Sequence, residues 1–215
     1  MSLADALAEL IDSRGVEGRL LVAVDGPDAA GKSTLARAVA ERLTQPWFFV
    51  SIDDWHNPRK HRLRRGAESP EGYYLDSFDH EGLVAGCLSP FAAGGQRIRT
   101  AGFDHVADSD VEEWREVPPD AVLIVEGVFL LRPELRGRWD LSVYLHVDEA
   151  VTLSRAVIRD LAQLGSGEAV RRRYERRYLP GQALYRELAA PLDAADVVVD
   201  NADPIQPRVL RWPQD

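Results

Sequence analysis

Residues Gly26-Pro27-Asp28-Ala29-Ala30-Gly31-Lys32-Ser33 fit the pattern Gly-x-x-x-x-Gly-Lys-[Ser/Thr] in full, and Thr34 follows. Each residue type answers a need of phosphate binding. Gly26 and Gly31 permit backbone conformations and close approach that a Cβ would block. The loop's N–H groups and the start of the following helix then surround a phosphate with donors. Lys32 can reach the β- and γ-phosphates, and the Ser33 hydroxyl can ligate Mg²⁺. An apolar run, RLLVAVD at 19–25, precedes the loop and a helical pattern follows it, which is the context this chemistry requires. Residues 26–34 are therefore the cofactor-binding candidates, with ATP and Mg²⁺ as the expected cofactors.

Acidic residues close the apolar runs that lead toward this loop. Asp25 ends the first, Asp53 and Asp54 the second, and Glu126 the third, in Ile-Val-Glu-Gly. Ligands bind beyond the carboxyl ends of strands in an open parallel sheet, so these acids fall where the chemistry would be. Ser33, Glu126 and Asp53 are the metal candidates, since Mg²⁺ commonly takes one or two carboxylates beside phosphate oxygens. Asp53 is also the candidate base that accepts a hydroxyl proton. The five histidines show no paired metal spacing. His56, three residues after Asp53, is the one best placed for a functional role.

The elements that must position these groups read as alternating strands and helices. Strand runs occupy 19–25, 47–53, 121–125, 141–147 and 195–199. Helical patterns occupy 32–43, 79–91, 149–164, 169–178 and 180–189, and Leu3, Leu7, Leu10 and Ile11 form one face of an N-terminal helix. This alternation predicts an α/β P-loop NTPase fold, with a five-stranded parallel sheet and flanking helices. The stretch 96–117 departs from the pattern and reads as a small antiparallel side hairpin. One domain over 1–215 is expected, with a helical lid at about 155–180 and an acceptor-side insert at about 55–117.

Composition narrows the function. The formal net charge of −9 argues against a nucleic-acid binder. Positive charge is nevertheless concentrated. RKHRLRR at 59–65 carries five cations and no acid, and Arg155 to Arg177 holds seven arginines against Asp160, Glu168 and Glu175. The first run reads as a solvated loop that could also meet an anionic acceptor. A single cysteine, Cys87, excludes an intrachain disulfide and reads as a buried thiol. No apolar run approaches the roughly 20 residues of a membrane helix, and no signal peptide is recognisable, so a cytoplasmic protein without a membrane partner is expected. A second copy of the chain is an admissible partner. Asn-Lys-x-Asp, the guanine-reading motif of GTPases, is absent, and the apolar run at 121–125 ends in Glu126-Gly127 rather than in the Asp-Glu of a longer motor or AAA-type ATPase. A small α/β domain with a late arginine-rich helical segment suits a small-molecule kinase, whose arginines neutralise charge on the transferred phosphoryl group.

GPDAAGKSTLA, SIDDWH, YYLDSFD, LIVEGVFLL and LSRAVIRD, in this order, resemble the uridine kinase and phosphoribulokinase family over residues 19 to about 203. The resemblance implies Asp53 as general base, Glu126 as the Mg²⁺-associated glutamate and Arg159 as a lid arginine touching nucleotide phosphates. It also implies Phe103 as an aromatic of the nucleoside pocket, and the loop Asn201 to Pro204 near the adenine. Three departures stand on the acceptor side and in the lid. Trp55-His56 replaces an expected Phe-Tyr. Tyr73 stands where the family carries an aspartate that binds ribose hydroxyls, which leaves Asp76 or Asp79 as substitutes. Leu164-Gly-Ser-Gly167 replaces an arginine pair, a loss that Arg171, Arg172 and Arg173 could repair. His56, Tyr73, Asp76 and Phe103 are thus the substrate candidates, and Asp53, Lys32, Arg159, Arg172 and Arg173 the catalytic ones. The expected reaction is transfer of the γ-phosphoryl group to a small-molecule hydroxyl, that of a nucleoside first. A phosphoribulokinase- or pantothenate-kinase-like acceptor, or an inactive nucleotide-binding regulatory module, stays open.

Overall fold

The computed structural model describes residues 1–15 and 18–213. The chain begins with α1 (Leu3–Arg14), β1 (Leu20–Asp25), α2 (Lys32–Ala40) and β2 (Trp47–Ser51). After a 3₁₀ turn (Ile52–Trp55) come three short helices, α3 (Arg59–Arg62), α4 (Pro70–Asp76) and α5 (His80–Leu83). A π-helical turn (Val84–Leu88) joins α5 to α6 (Ser89–Ala92). The hairpin β3 (Arg97–Asp104) and β4 (Ser109–Glu116) precedes β5 (Val122–Gly127) and β6 (Leu141–His146). Then follow α7 (Glu149–Leu164), α8 (Gly167–Arg173), α9 (Leu179–Ala189), α10 (Pro191–Ala194), β7 (Val197–Asp200) and β8 (Arg208–Arg211).

The sheet has six strands in the order β2-β5-β1-β6-β7-β8. The first five are parallel and β8 runs antiparallel along β7, so the sheet is mixed where five parallel strands were expected. β8 escaped the sequence reading because it is four residues long with no apolar run, and Val209 and Leu210 stay exposed on it. β1 and β5 are near-continuously apolar because helices cover both sheet faces: every residue of β5 is buried. On one face Leu7, Ile11 and Val39 of α1 and α2 pack on Val22, Val24 and Ile124. On the other, Trp55, Phe91, Phe129 and Tyr185 pack on Ala23, Leu123 and Val125.

Register sets the site. Ser51 pairs with Glu126, and Asp25 with Gly127, so β2, β5 and β1 end at one level. The second strand stops at Ser51, two residues short of the expected Asp53, and the 3₁₀ turn carries Asp53 and Asp54 out over that edge. Gly165, in the left-handed region at φ +80°, stops α7, and Ser166 caps α8 by accepting from the Ala169 N–H. The loop 164–167 is thereby a tight reversal. α8, a π-helical turn (Tyr174–Tyr178) and α9 then form one continuous rod back across the cleft.

Arg19 fastens the hairpin side to the sheet. Its guanidinium donates to the carbonyls of Pro118, Phe91, Gly95 and Val117 at 2.8–3.0 Å and lies over the Phe91 ring. Arg19→Met keeps the apolar stem and removes these bonds. We expect a loss of about 2–3 kcal/mol, read as a lower urea midpoint at unchanged slope. An unmoved midpoint would mean that water replaces the guanidinium at no cost.

Candidate active site

The phosphate loop needs glycine at both ends. Gly26 has φ +154°, and a Cβ there would stand 2.6 Å from the Leu145 carbonyl oxygen. Gly31, at φ +90°, is the left-handed residue from which α2 starts, and a Cβ would meet the Asn201 side chain at 3.0 Å. The loop is held from outside. Asn201 Nδ2 donates to the Ala30 carbonyl at 2.7 Å, and Arg155 donates to the carbonyls of Ala29, Asn201 and Ala202. Lys32 is buried, with its ammonium folded onto the Pro27 carbonyl at 2.8 Å.

Asp25, the acid that closes β1, is part of this frame and does not line the cleft. Fully buried, it accepts from the N–H groups of Gly26 and Leu131 and from the Tyr185 hydroxyl. Burial pushes its carboxyl up to about 6, against the opposing pull of these donors.

In front of the loop lies a cleft of about 550 Å³. It gathers Asp28, Lys32, Ser33, Asp53, His56, Tyr73, Glu126, Arg159 and Arg173 from eight elements and loops. Glu126 is aimed by the Ser51 hydroxyl, which donates to its Oε1 at 2.8 Å. Asp53 is exposed on the wall of the cleft. Desolvation by the surrounding cleft first, then the negative charge of Asp28, raises its carboxyl above the ordinary value of 3.8. His56 Nδ1 lies 2.8 Å from the Asp53 carbonyl, a contact that requires the proton on Nδ1. Burial holds this imidazole down at about 4, so at neutral pH it is uncharged and Nε2 is left as an acceptor. Its ring packs on Phe78 at 4.5 Å and on His105 at 4.7 Å.

The arginines come from the helical arm. Arg159 on α7 is fixed by Asp160 at 2.6 Å and by the Tyr174 hydroxyl at 2.9 Å. Arg173 donates to the Tyr178 hydroxyl at 3.0 Å. Arg172, its neighbour, is exposed and outside the cleft lining, as is Arg171. Two substrate candidates also lie elsewhere. Phe103 is buried in β3, while His105 and Val106, just beyond it, reach the cleft. Asp76 is fully buried and its carboxylate is taken by Arg64 and by Arg65 Nε at 2.8 Å. These two arginines, from the run expected to be solvated, are therefore ion-pair partners, while Arg59 and Arg62 of the same run line the cleft. Trp55 fills core against Gly86 and Gly102. His105, Tyr178 and Gln182 were not singled out from the sequence, because nothing in their local spacing marks them.

Behind the loop is a second cavity of about 880 Å³, lined by Ala29, Gly31, Thr34, Asn201, Pro204 and Ile205 among others. The phosphate loop is the wall between the two. Among the described residues no helix is long and apolar enough to cross a membrane.

The Asp25 environment gives a pH signature. Its folded value of about 6 lies above the unfolded one, so the folded chain holds this proton more tightly. That contribution is complete below about pH 4 and is lost as pH rises through about 6. The stability of the wild type relative to Asp25→Asn should therefore fall by about 3 kcal/mol across this window in urea titrations. A constant difference would mean that the three donors keep the carboxyl at its ordinary value.

The sequence matches the description "Phosphoribulokinase / Uridine kinase family" over residues 21–203. A uridine kinase of Ligilactobacillus salivarius is 25% identical over 189 residues, 84% of this chain and 84% of that protein. A solved structure described as "a Possible Uridine Kinase from Bacillus stearothermophilus" superposes with a TM-score of 0.73 at 25% identity, covering 91% of this chain and 96% of the other. The fold alone is shared with a D-glycerate 3-kinase from Cryptococcus neoformans, at TM-score 0.67 and 15% identity over 98% and 100% of the two chains. With the phosphate loop, the carboxylates beyond the strand ends and the arginine-bearing arm around one cleft, this chain belongs to the phosphoribulokinase / uridine kinase family of P-loop kinases.

Proposed function

We propose that the protein transfers the γ-phosphoryl group of ATP, with Mg²⁺, to a hydroxyl of a small molecule, a nucleoside such as uridine or cytidine being the first acceptor. The observation that carries this reading is the meeting of Lys32, Asp53, Glu126, Arg159 and Arg173 in one cleft at the mouth of the phosphate loop.

The residues fit the nucleotide and its metal. Gly26 and Gly31 hold the loop in conformations, and against Leu145 and Asn201, that leave no room for a Cβ, and Ser33 and Glu126 offer a hydroxyl and an aimed carboxylate beside it, with Asp53 across the cleft. Among the described residues no three His, Cys, Asp or Glu side chains converge, so Mg²⁺ would draw most of its ligands from phosphate and water. When bound, Mg·ATP supplies the transferable group and offsets charge on its oxygens. Lys32 leaves the Pro27 carbonyl for the β/γ-phosphates. Asp53 accepts the acceptor's hydroxyl proton, and its raised value makes its ionised form a stronger base. Arg159 and Arg173, held by Asp160, Tyr174 and Tyr178, stabilise charge on the moving group. Segment 155–180 acts as the lid that excludes water, 55–117 forms the acceptor side, and the cavity lined by Thr34 and Asn201 takes the base.

One observation favours a second reading of the acceptor. Arg59 and Arg62 line the acceptor end, and Arg62 Nε is buried without a partner. A phosphate or carboxylate on the acceptor would satisfy that donor. This is the phosphoribulokinase- or pantothenate-kinase-like alternative.

ADP release from Mg·ATP, measured with uridine, cytidine, ribose 5-phosphate, ribulose 5-phosphate and pantothenate, tests both. Stimulation by nucleosides supports the first reading, and stimulation by the anionic compounds alone supports the second. Tight ATP binding without stimulation by any of them points to a regulatory module. Lys32→Ala should abolish transfer and weaken ATP binding.

For the stimulating acceptor, Asp53→Asn should lower kcat by about 10²–10⁴-fold with ATP binding retained. In the wild type kcat/KM should rise with pH through the Asp53 value, above 3.8, because only the ionised form takes a proton. Near-normal turnover of Asp53→Asn would sink the base assignment. Arg173→Ala should lower kcat more than it weakens ATP binding, whereas Arg172→Ala, outside the cleft, should do neither.

A further inference from the structure

Asp28 is an anomaly in a loop built to attract phosphate. It is the third residue of the phosphate loop, half-buried, and lines the cleft together with Asp53. A carboxylate inside the cradle would repel a triphosphate. The structure holds its side chain toward α4 and α9 instead. The Tyr73 hydroxyl donates to Asp28 Oδ2 at 2.8 Å, and Gln182 Nε2 donates to the same oxygen at 2.8 Å. Tyr73 and Gln182 are both buried, and the rings of Phe129 and Tyr178 fix Tyr73 at 4.9 and 4.8 Å. Two donors from separate helices thus converge on one oxygen.

The other oxygen, Oδ1, receives no hydrogen bond among the described residues. Nor does a lysine or arginine pair with Asp28 there. Arg159, a neighbouring cation, is already committed to Asp160 and Tyr174. An oriented carboxylate with one oxygen free, facing a cleft, is an acceptor for O–H or N–H groups. It can make no direct hydrogen bond to the triphosphate, whose oxygens carry like charge.

We infer that Asp28 binds the acceptor, with Oδ1 accepting a hydrogen bond from a second hydroxyl of the molecule whose first hydroxyl Asp53 deprotonates. The site therefore selects a diol or polyol over a mono-alcohol. Tyr73 and Gln182 act as positioning residues, through Asp28. This inference rests on the phosphotransfer reading above and adds a substrate class to it.

The test compares acceptors that differ by one hydroxyl: uridine against 2′-deoxyuridine and 3′-deoxyuridine, and ribose 5-phosphate against 2-deoxyribose 5-phosphate. A hydrogen bond to a charged group predicts about 10–100-fold higher kcat/KM for the hydroxyl-bearing member of a pair. In Asp28→Asn the amide oxygen must face Tyr73 and Gln182, which turns the NH₂ group to the cleft. That preference should fall at least about threefold, through the acceptor's KM, because the neutral amide can only donate to the hydroxyl oxygen, with the KM for ATP within about twofold of wild type. Tyr73→Phe leaves the carboxylate in place but less fixed, and should reduce the preference about threefold. An equal loss on both members of each pair, or a rise confined to the KM for ATP, would assign Asp28 to the nucleotide side and overturn the inference alone. A wild type that phosphorylates no member of either pair, and neither ribulose 5-phosphate nor pantothenate, would overturn it together with the phosphotransfer reading.

Discussion

The buried carboxylate of Asp25 is the interaction on which the rest of the site depends. It receives the N–H of Gly26, where the phosphate loop begins, the N–H of Leu131, beyond β5, and the hydroxyl of Tyr185, on α9. One side chain thereby refers the loop, the turn after the Glu126 strand and the helical arm to a single point. Its cost is desolvation, visible in the raised carboxyl. A group so expensive to bury is tolerated where three donors need one acceptor. The phosphate cradle inherits its geometry from this node, because a loop of backbone donors is only as precise as its ends.

Charge follows the same logic of placement. The chain is strongly acidic overall, yet Lys32, Arg59, Arg62, Arg159 and Arg173 line the cleft, and the arginines of the arm are fixed in place. They are held individually. Arg159 is fixed by Asp160, Arg173 by Tyr178, and Arg177 is buried against the carbonyls of Gly66, Ala67 and Ser69. Arg177 joins the arm to the segment that follows Arg62, so these two walls of the cleft are mechanically linked. Preorganised cations stabilise a developing charge without being reoriented during reaction.

What the sequence made legible is what local chemistry dictates. The phosphate loop, the strands β1, β5 and β6, the helix α7 and the strand-end acids are each written in a short window, by glycine, burial on both faces or helical period. What it concealed depends on partners far along the chain. Asp76 has the residue type of a hydroxyl ligand, but Arg64 and Arg65, a dozen positions earlier, claim it. Phe103 has the side chain of a pocket wall, but the alternation of β3 turns it into the core, and the turn beyond it delivers His105 instead. β8 is an edge strand with little to bury, so no apolar pattern announces it.

The same distinction explains why phosphoryl chemistry is read more readily than the acceptor. Phosphate has one geometry, and a contiguous loop can recognise it with backbone groups that any sequence possesses, given glycine in two places. An acceptor is recognised by side chains from several elements whose convergence no local pattern encodes. Asp28, Tyr73 and Gln182 are 45 and 154 positions apart from the first, and only the packing of α4 and α9 across the loop brings them to one oxygen. One phosphate loop can therefore recur in many proteins, while the side chains that face it differ with whatever the helices beside the loop present.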